Sequence, residues 1–159
     1  MNLFQGGKPM TTPLHPLIVH FPIALLFLAA VMQLLAIWRP RLFDRTADIL
    51  LGLGFLSGIA AYMTGDGGER YAVSVFGATR DMIHKHENIA FYTLIVYGLL
   101  LAVKILFRLP GLRRRFAAGL RWAAPLVVIL SLAGLVLVYY TGHYGGQIVY
   151  HGTQASANP

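Results

Sequence analysis

A chain of 159 residues that is 57% hydrophobic and only 12% charged is too apolar for an ordinary soluble domain, and its membrane stretches leave no room for a second one. It has no cysteine, which excludes disulfides, thiolate metal sites, thiol catalysis and the C-x-x-C-H attachment of a c-type haem. Its formal charge of +7 collects in two loops instead of along a nucleic-acid-binding face, so no nucleic-acid partner is expected.

Residues 1–13 form a polar lead containing Gly, Pro and Thr, expected to be flexible. The first of four apolar stretches, each close to the roughly 20 residues that a span requires, runs from Leu14 to Trp38. It has no basic cluster before it and no A-x-A site after it, so it reads as a retained span and not as a signal peptide. Pro16 falls in its first turn, where proline is tolerated. Pro22 lies deeper, removes a backbone donor and should bend the helix beside His20.

The second stretch, about residues 46–64, carries Gly54, Gly58, Ala61 and Gly65. On a helix these form one stripe of small residues, suited to close helix packing or to a flat ligand. The run GDGGERYAVSVFGATR from Gly65 to Arg80 reads as an outer loop, with Asp81 capping a third span that starts near Ile83. That span includes Asn88, Tyr92, Thr93 and Tyr97, more polar than lipid alone favours. The fourth stretch begins at Trp122 and closes on an aromatic belt at Tyr139 and Tyr140. Its Gly-rich tail, GHYGGQIVYHG, is expected to fold back over the end of the bundle, and residues 153–159 to be disordered. The expected fold is an all-α membrane protein: one up-down bundle of four transmembrane helices over residues 14–152.

Arg39, Arg41 and Arg45 follow the first span. Lys104, Arg108, Arg113, Arg114, Arg115 and Arg121 surround the link between the third and fourth. The positive-inside rule then puts both arginine-rich loops in the cytoplasm and both termini outside.

All six histidines fall on that outer side. His15 and His20 open the first span, His84 and His86 open the third, and His143 and His151 follow the fourth. An imidazole held at the edge of lipid is costly unless it binds something, which makes it a functional candidate. At about 100° per residue, His15 and His20 point roughly 140° apart and His84 and His86 roughly 200° apart. Each pair therefore sends one member inward. His20, about 7–8 Å deeper than His15, and His86 read as the inward ones.

Two ligand chemistries stay open. Two imidazoles on facing helices suit the iron of a non-covalent haem b. Three or four groups within about 2.0–2.2 Å of one point would hold zinc or copper; His15, His20, His86 and His151 are the candidates, with Asp66, Glu69, Asp81 or Glu87 close by. No Ser/His/Asp set, P-loop, H-E-x-x-H or paired membrane carboxylates are evident, so a carrier or binding protein fits better than a hydrolase or transferase.

The segments HPLIVHFPIALL (15–26), HKHENIAFY (84–92) and GGQIVYHG (145–152) resemble the bacterial family of four-span membrane proteins catalogued as domain of unknown function 2231. The resemblance covers nearly the whole chain in order. Matched residue by residue, the family's histidines fall on His15, His20, His86 and His151, and the glycines of its closing motif on Gly145, Gly146 and Gly152. His84 and His143 have no counterpart. The resemblance implies a bacterial inner membrane location. Because such proteins sometimes occur beside or fused to electron-carrier domains, it also implies a redox role similar to that of small cytochromes b. The expectation is a haem b electron-transfer protein whose site lies near the periplasmic face and exchanges electrons with a periplasmic redox protein or quinone. A histidine-based metal site is the alternative. A third reading is a non-catalytic subunit that docks on a larger membrane complex through the glycine stripe.

Overall fold

The computed structural model describes residues 14–115 and 119–155, without the side chains of Leu14, Asp66, Leu120 and residues 151–155. Seven helices follow in order: α1 (Leu14–Ile18), α2 (His20–Leu35), α3 (Pro40–Met63), α4 (Gly65–Phe76), α5 (Arg80–Arg108), α6 (Pro110–Arg115) and α7 (Leu120–Ala155). Four segments are long and apolar enough to cross a membrane: His15–Leu35, Pro40–Met63, Arg80–Arg108 and Arg121–Tyr150. They alternate in direction, and α2 and α5 each pack against both α3 and α7. The expected four-span up-down bundle is therefore the fold. One end gathers α1, α4 and the start of α5; the other gathers the arginines.

Local chemistry explains the joints. Pro22 has no N–H for the carbonyl of Ile18, so the hydrogen-bond ladder is interrupted beside it. The neighbouring Ile23-to-Val19 bond is stretched to 3.4 Å, although Val19 keeps helical angles, φ −61° and ψ −25°. The expected weak point next to His20 separates α1 from α2.

The small-residue stripe of α3 serves helix packing. A Cβ on Gly54 would lie 2.8 Å from Leu26 Cδ2 and 3.1 Å from the Leu26 backbone nitrogen, and one on Gly58 would lie 2.8 Å from Leu94 Cδ2. Without side chains there, α2 and α5 approach α3 closely. Leu26, Ala29, Ala30, Leu51, Tyr97, Leu100 and Val138 form the core.

Tyr97 is fully buried and its hydroxyl donates to the Leu26 carbonyl at 3.0 Å, tying α5 to α2 across the bundle. Its ring lies on Gly134 of α7, where a Cβ would come within 2.7 Å of Cζ. The ring is held at both ends and has little room to retreat. Gly134→Ala is therefore expected to be destabilising: overpacking costs about 2 kcal/mol, against at most about 1 kcal/mol returned by helix propensity. Gly142→Ala, with nothing within 4 Å of its Cβ, should leave stability unchanged or raised. Thermal melts of the helical signal in detergent compare the two.

Three local expectations are corrected. The run after Gly65 is the helix α4, not a loop. Its glycines suggested a turn, yet the half-buried positions Gly65, Gly68, Glu69, Ala72 and Phe76 recur at helical spacing and give it one packing face. It stops at Gly77, whose φ of 67° is left-handed, as is common just past a helix end, and the Ala78 N–H bonds back to the Ala72 carbonyl at 3.2 Å. The cap of α5 is Thr79, whose hydroxyl accepts from the Met82 N–H. Asp81 sits in the first turn, 2.9 Å from Lys85.

The third correction concerns the tail. α7 continues unbroken through the glycines for 36 residues, about 54 Å at 1.5 Å per residue, and does not fold back. Packing decides against glycine's weak helix propensity, because Gly145 must lie against His86 (below). Residues 153–155, expected to be disordered, form its last turn. Residues 1–13 and 156–159 lie outside the described residues.

At the arginine end, Asp44 and Asp48 of α3 meet Lys104 and Arg108 of α5. Lys104 Nζ is 2.9 Å from Asp48 and Arg108 is 2.6 Å from it, and both cations also pair with Asp44. The sequence alone did not bring these four charges together. Each pair is spaced i, i+4 and so shares one helix face, and the antiparallel packing of α3 on α5 brings the two faces together.

Candidate functional site

The site forms where α1, α3, α5 and α7 meet beneath α4. A helix ends with carbonyls that lack in-helix donors, and α3 ends beside His15. The His15 Nδ1–H donates to the Ala61 carbonyl oxygen at 2.9 Å and lies 3.1 Å from Thr64 Oγ1. Thr64 Oγ1 spends its own proton on the same carbonyl, at 2.7 Å, leaving its lone pairs for the imidazole.

His86, from α5, does the same toward α7. Its Nδ1–H donates to the Thr141 carbonyl oxygen at 3.1 Å. The Thr141 hydroxyl meets Thr93 Oγ1 at 2.8 Å, and each hydroxyl is also within reach of a carbonyl one turn back. This pair fixes α7 against α5 at the height of the imidazole.

The acceptors set the chemistry. A carbonyl oxygen only accepts, so in both neutral rings Nδ1 carries the proton and Nε2 the lone pair. No hydrogen bond among the described residues engages either Nε2. The ring centroids are 6.3 Å apart and the ring planes cross at 81°. Glycines lie against both rings: a Cβ on Gly68 of α4 would be 3.4 Å from His15 Cβ, and one on Gly145 of α7 would be 3.2 Å from His86 Cε1.

A cavity of about 670 Å³ opens around the pair, within the roughly 300–1,000 Å³ of small-molecule and cofactor sites. Its walls are mainly apolar and aromatic, including Tyr62, Tyr71 and Phe76, with Glu69 and Glu87 among the few charged groups. The cavity reaches inward to Leu26 and Val138 of the core.

The six histidines separate clearly. His15 and His86 come together. His20, expected to point inward, is exposed and belongs to the cavity only as part of its lining. The two histidines do differ in exposure, but the inward member is His15. The buried face of α2 runs through Pro22, Leu26, Ala29, Ala30 and Gln33. Continued backwards at helical spacing, it passes Val19 and Ile18 and reaches residue 15. Depth along the helix was the wrong criterion.

His84 is exposed, 3.3 Å from Glu87. His143 is exposed, stacks on Tyr139 and takes a hydrogen bond from the Gln147 amide. His151 lies near the end of α7, with its side chain outside the described residues. Among the described residues, no three His, Asp or Glu groups converge on a point that would hold a metal ion. Of the polar residues expected on the third span, Thr93 and Tyr97 are buried, whereas Asn88 and Tyr92 are exposed. Ala61 and Thr141 act through backbone carbonyls, which no side-chain motif announces.

Residues 11–157 match the family described as predicted membrane protein, domain of unknown function 2231. The chain belongs to this family. No curated protein and no solved structure matches it. The resemblance carried by the three segments is borne out over almost the full length. Membership agrees with the four apolar helices: this domain of unknown function 2231 protein is a membrane protein. Its many exposed leucine, isoleucine and phenylalanine side chains, such as Leu56 and Ile129, are the surface that contacts the lipid bilayer. Within the segments that carry the resemblance, His15 and His86 face each other, and Gly145 of the closing glycine pair makes room for His86.

Proposed function

We propose that this protein binds haem b between His15 and His86 and carries electrons at the histidine end of the bundle. The observation that supports this reading is the matched pair of imidazoles. They come from different helices, each donates Nδ1–H to a backbone carbonyl, and each keeps an Nε2 lone pair that no hydrogen bond among the described residues engages. Ligating histidines characteristically donate their second ring N–H to a carbonyl or carboxylate, which fixes tautomer and orientation. Two rings binding one iron from opposite sides, at about 2.0–2.1 Å each, have centroids roughly 6 Å apart; here they are 6.3 Å apart.

The count of ligands favours haem over a bare ion. Zinc or copper held by protein alone requires three or four donors, and among the described residues two imidazoles come together. A porphyrin supplies four nitrogens of its own, so two imidazoles complete the iron. Bound haem supplies one-electron chemistry. The protein fixes the imidazoles, keeps water out with apolar walls, and tunes ligand basicity through the Ala61 and Thr141 carbonyls.

Under the positive-inside rule, the arginines at the opposite end support a reading in which the histidine end faces the periplasm of a bacterial inner membrane. The redox partner is then a periplasmic protein or a membrane quinone. No histidine lies at the other end, so the protein on its own does not relay electrons across the bilayer.

Purified in detergent from haem-replete cells, the protein should be coloured, with a Soret band that shifts on reduction and stoichiometric iron. A protein still colourless after haem reconstitution would remove the proposal. Gly145→Val should keep α7 helical yet push the His86 ring from its place, lowering haem affinity, read from Soret titration, by about tenfold or more, as loss of a supporting contact does at metal sites.

A further inference from the structure

Positive charge is concentrated at one end of the bundle. Among the described residues, nine basic and two acidic lie at the arginine end, whereas three basic and four acidic lie at the other, so the positive excess belongs to the first. The two acidic residues there, Asp44 and Asp48, are occupied by Lys104 and Arg108. Seven arginines remain: Arg39, Arg41, Arg45, the three at the end of α6 (113–115) and Arg121. All seven are exposed and no other carboxylate exists at that end to pair with them. Both tryptophans of the chain sit among them, Trp38 81% and Trp122 63% exposed, with the Arg121 guanidinium 5.8 Å from the Trp122 ring.

We propose that this end is a binding surface for anionic phospholipid headgroups. A guanidinium presents a planar fork of donors that matches phosphate oxygens in pairs. Exposed indoles settle at headgroup depth. Arg39 and Arg121 each adjoin a tryptophan at the end of a span, which puts their charge at the lipid phosphates and out of reach of a nucleic-acid duplex in solution. A basic side chain near an anionic bilayer contributes a factor of about five, so seven uncompensated arginines should gather anionic lipid well beyond its bulk share.

Because both tryptophans lie on this surface, their fluorescence reports its lipid shell. The full chain is reconstituted in phosphatidylcholine bilayers in which a minor fraction is phosphatidylglycerol brominated on its acyl chains, and separately with brominated phosphatidylcholine. Quenching should show phosphatidylglycerol enriched about fivefold or more, with the enrichment collapsing in high salt. The combined Arg113→Gln, Arg114→Gln and Arg115→Gln variant should lose at least half of that enrichment while its emission in pure phosphatidylcholine stays unchanged. Equal quenching by the two lipids, or a preference indifferent to salt, overturns the proposal. So does a DNA duplex that binds at physiological salt and abolishes the lipid preference.

Discussion

Replacing either His15 or His86 by alanine should abolish haem retention, whereas replacing His20, His84 or His143 should leave it intact. The division follows from geometry. His15 and His86 are the pair whose rings approach to 6.3 Å with Nδ1 committed to carbonyls and Nε2 left over. His20 is at the exposed rim, and His84 and His143 bond to neighbours on their own helices. Altering a group that merely supports a metal ligand costs about 10–100-fold in affinity, so loss of a ligand itself should exceed that and leave the purified variant colourless. The loss will not reflect unfolding. His15→Ala removes one N–H donor shared between the Ala61 carbonyl and the Thr64 hydroxyl, worth about 1 kcal/mol, and a melt of the helical signal should move by only that much. Absorbance per protein, read beside the melt, separates the two effects.

Lys104→Met should lower stability by about 3 kcal/mol, near the lower end of the cost of removing one partner from a buried ion pair. The lysine is the most buried member of its cluster, with 10% of its side chain exposed. It faces two carboxylates that are themselves about 30% exposed or less. Without it, Asp44 and Asp48 share Arg108 alone, and one negative charge is left uncompensated between α3 and α5. Adding Asp48→Asn to Lys104→Met restores the balance of one carboxylate and one guanidinium, so the double variant should recover a good part of the loss. That recovery, measured as a double-mutant cycle of unfolding in detergent, distinguishes electrostatic compensation from lost packing.

Some of this architecture is legible in the residues and some is not. The four spans and their alternation follow from apolar run length. The stripe from Gly54 to Gly65 announces close packing because small side chains on one helix face have few other uses in lipid. What failed was the choice between neighbouring residues whose difference lies in rotation. His15 and His20 look equivalent until the buried face of α2 is traced back from Gln33 and Leu26, and only then does His15 fall inside. The helix α4 was hidden by its glycines, which speak for a turn locally but are needed globally, since Gly68 lies against His15. The same holds for α7, where Gly145 yields its space to His86. Asp44 with Asp48 and Lys104 with Arg108 each form an ordinary surface-like pair when taken alone. They become a cluster only once α3 and α5 are known to be antiparallel neighbours in that register. The carbonyls of Ala61 and Thr141 lie beyond any sequence pattern, because every residue has one.

The most direct measurement is electron paramagnetic resonance of the oxidised, haem-reconstituted protein, read beside His15→Ala and His86→Ala. Two imidazoles crossing at 81° on one ferric iron predict a low-spin, strongly anisotropic signal that disappears in both variants. A high-spin signal in the unaltered protein, or a low-spin signal that survives removal of either histidine, would contradict a haem held between α1 and α5.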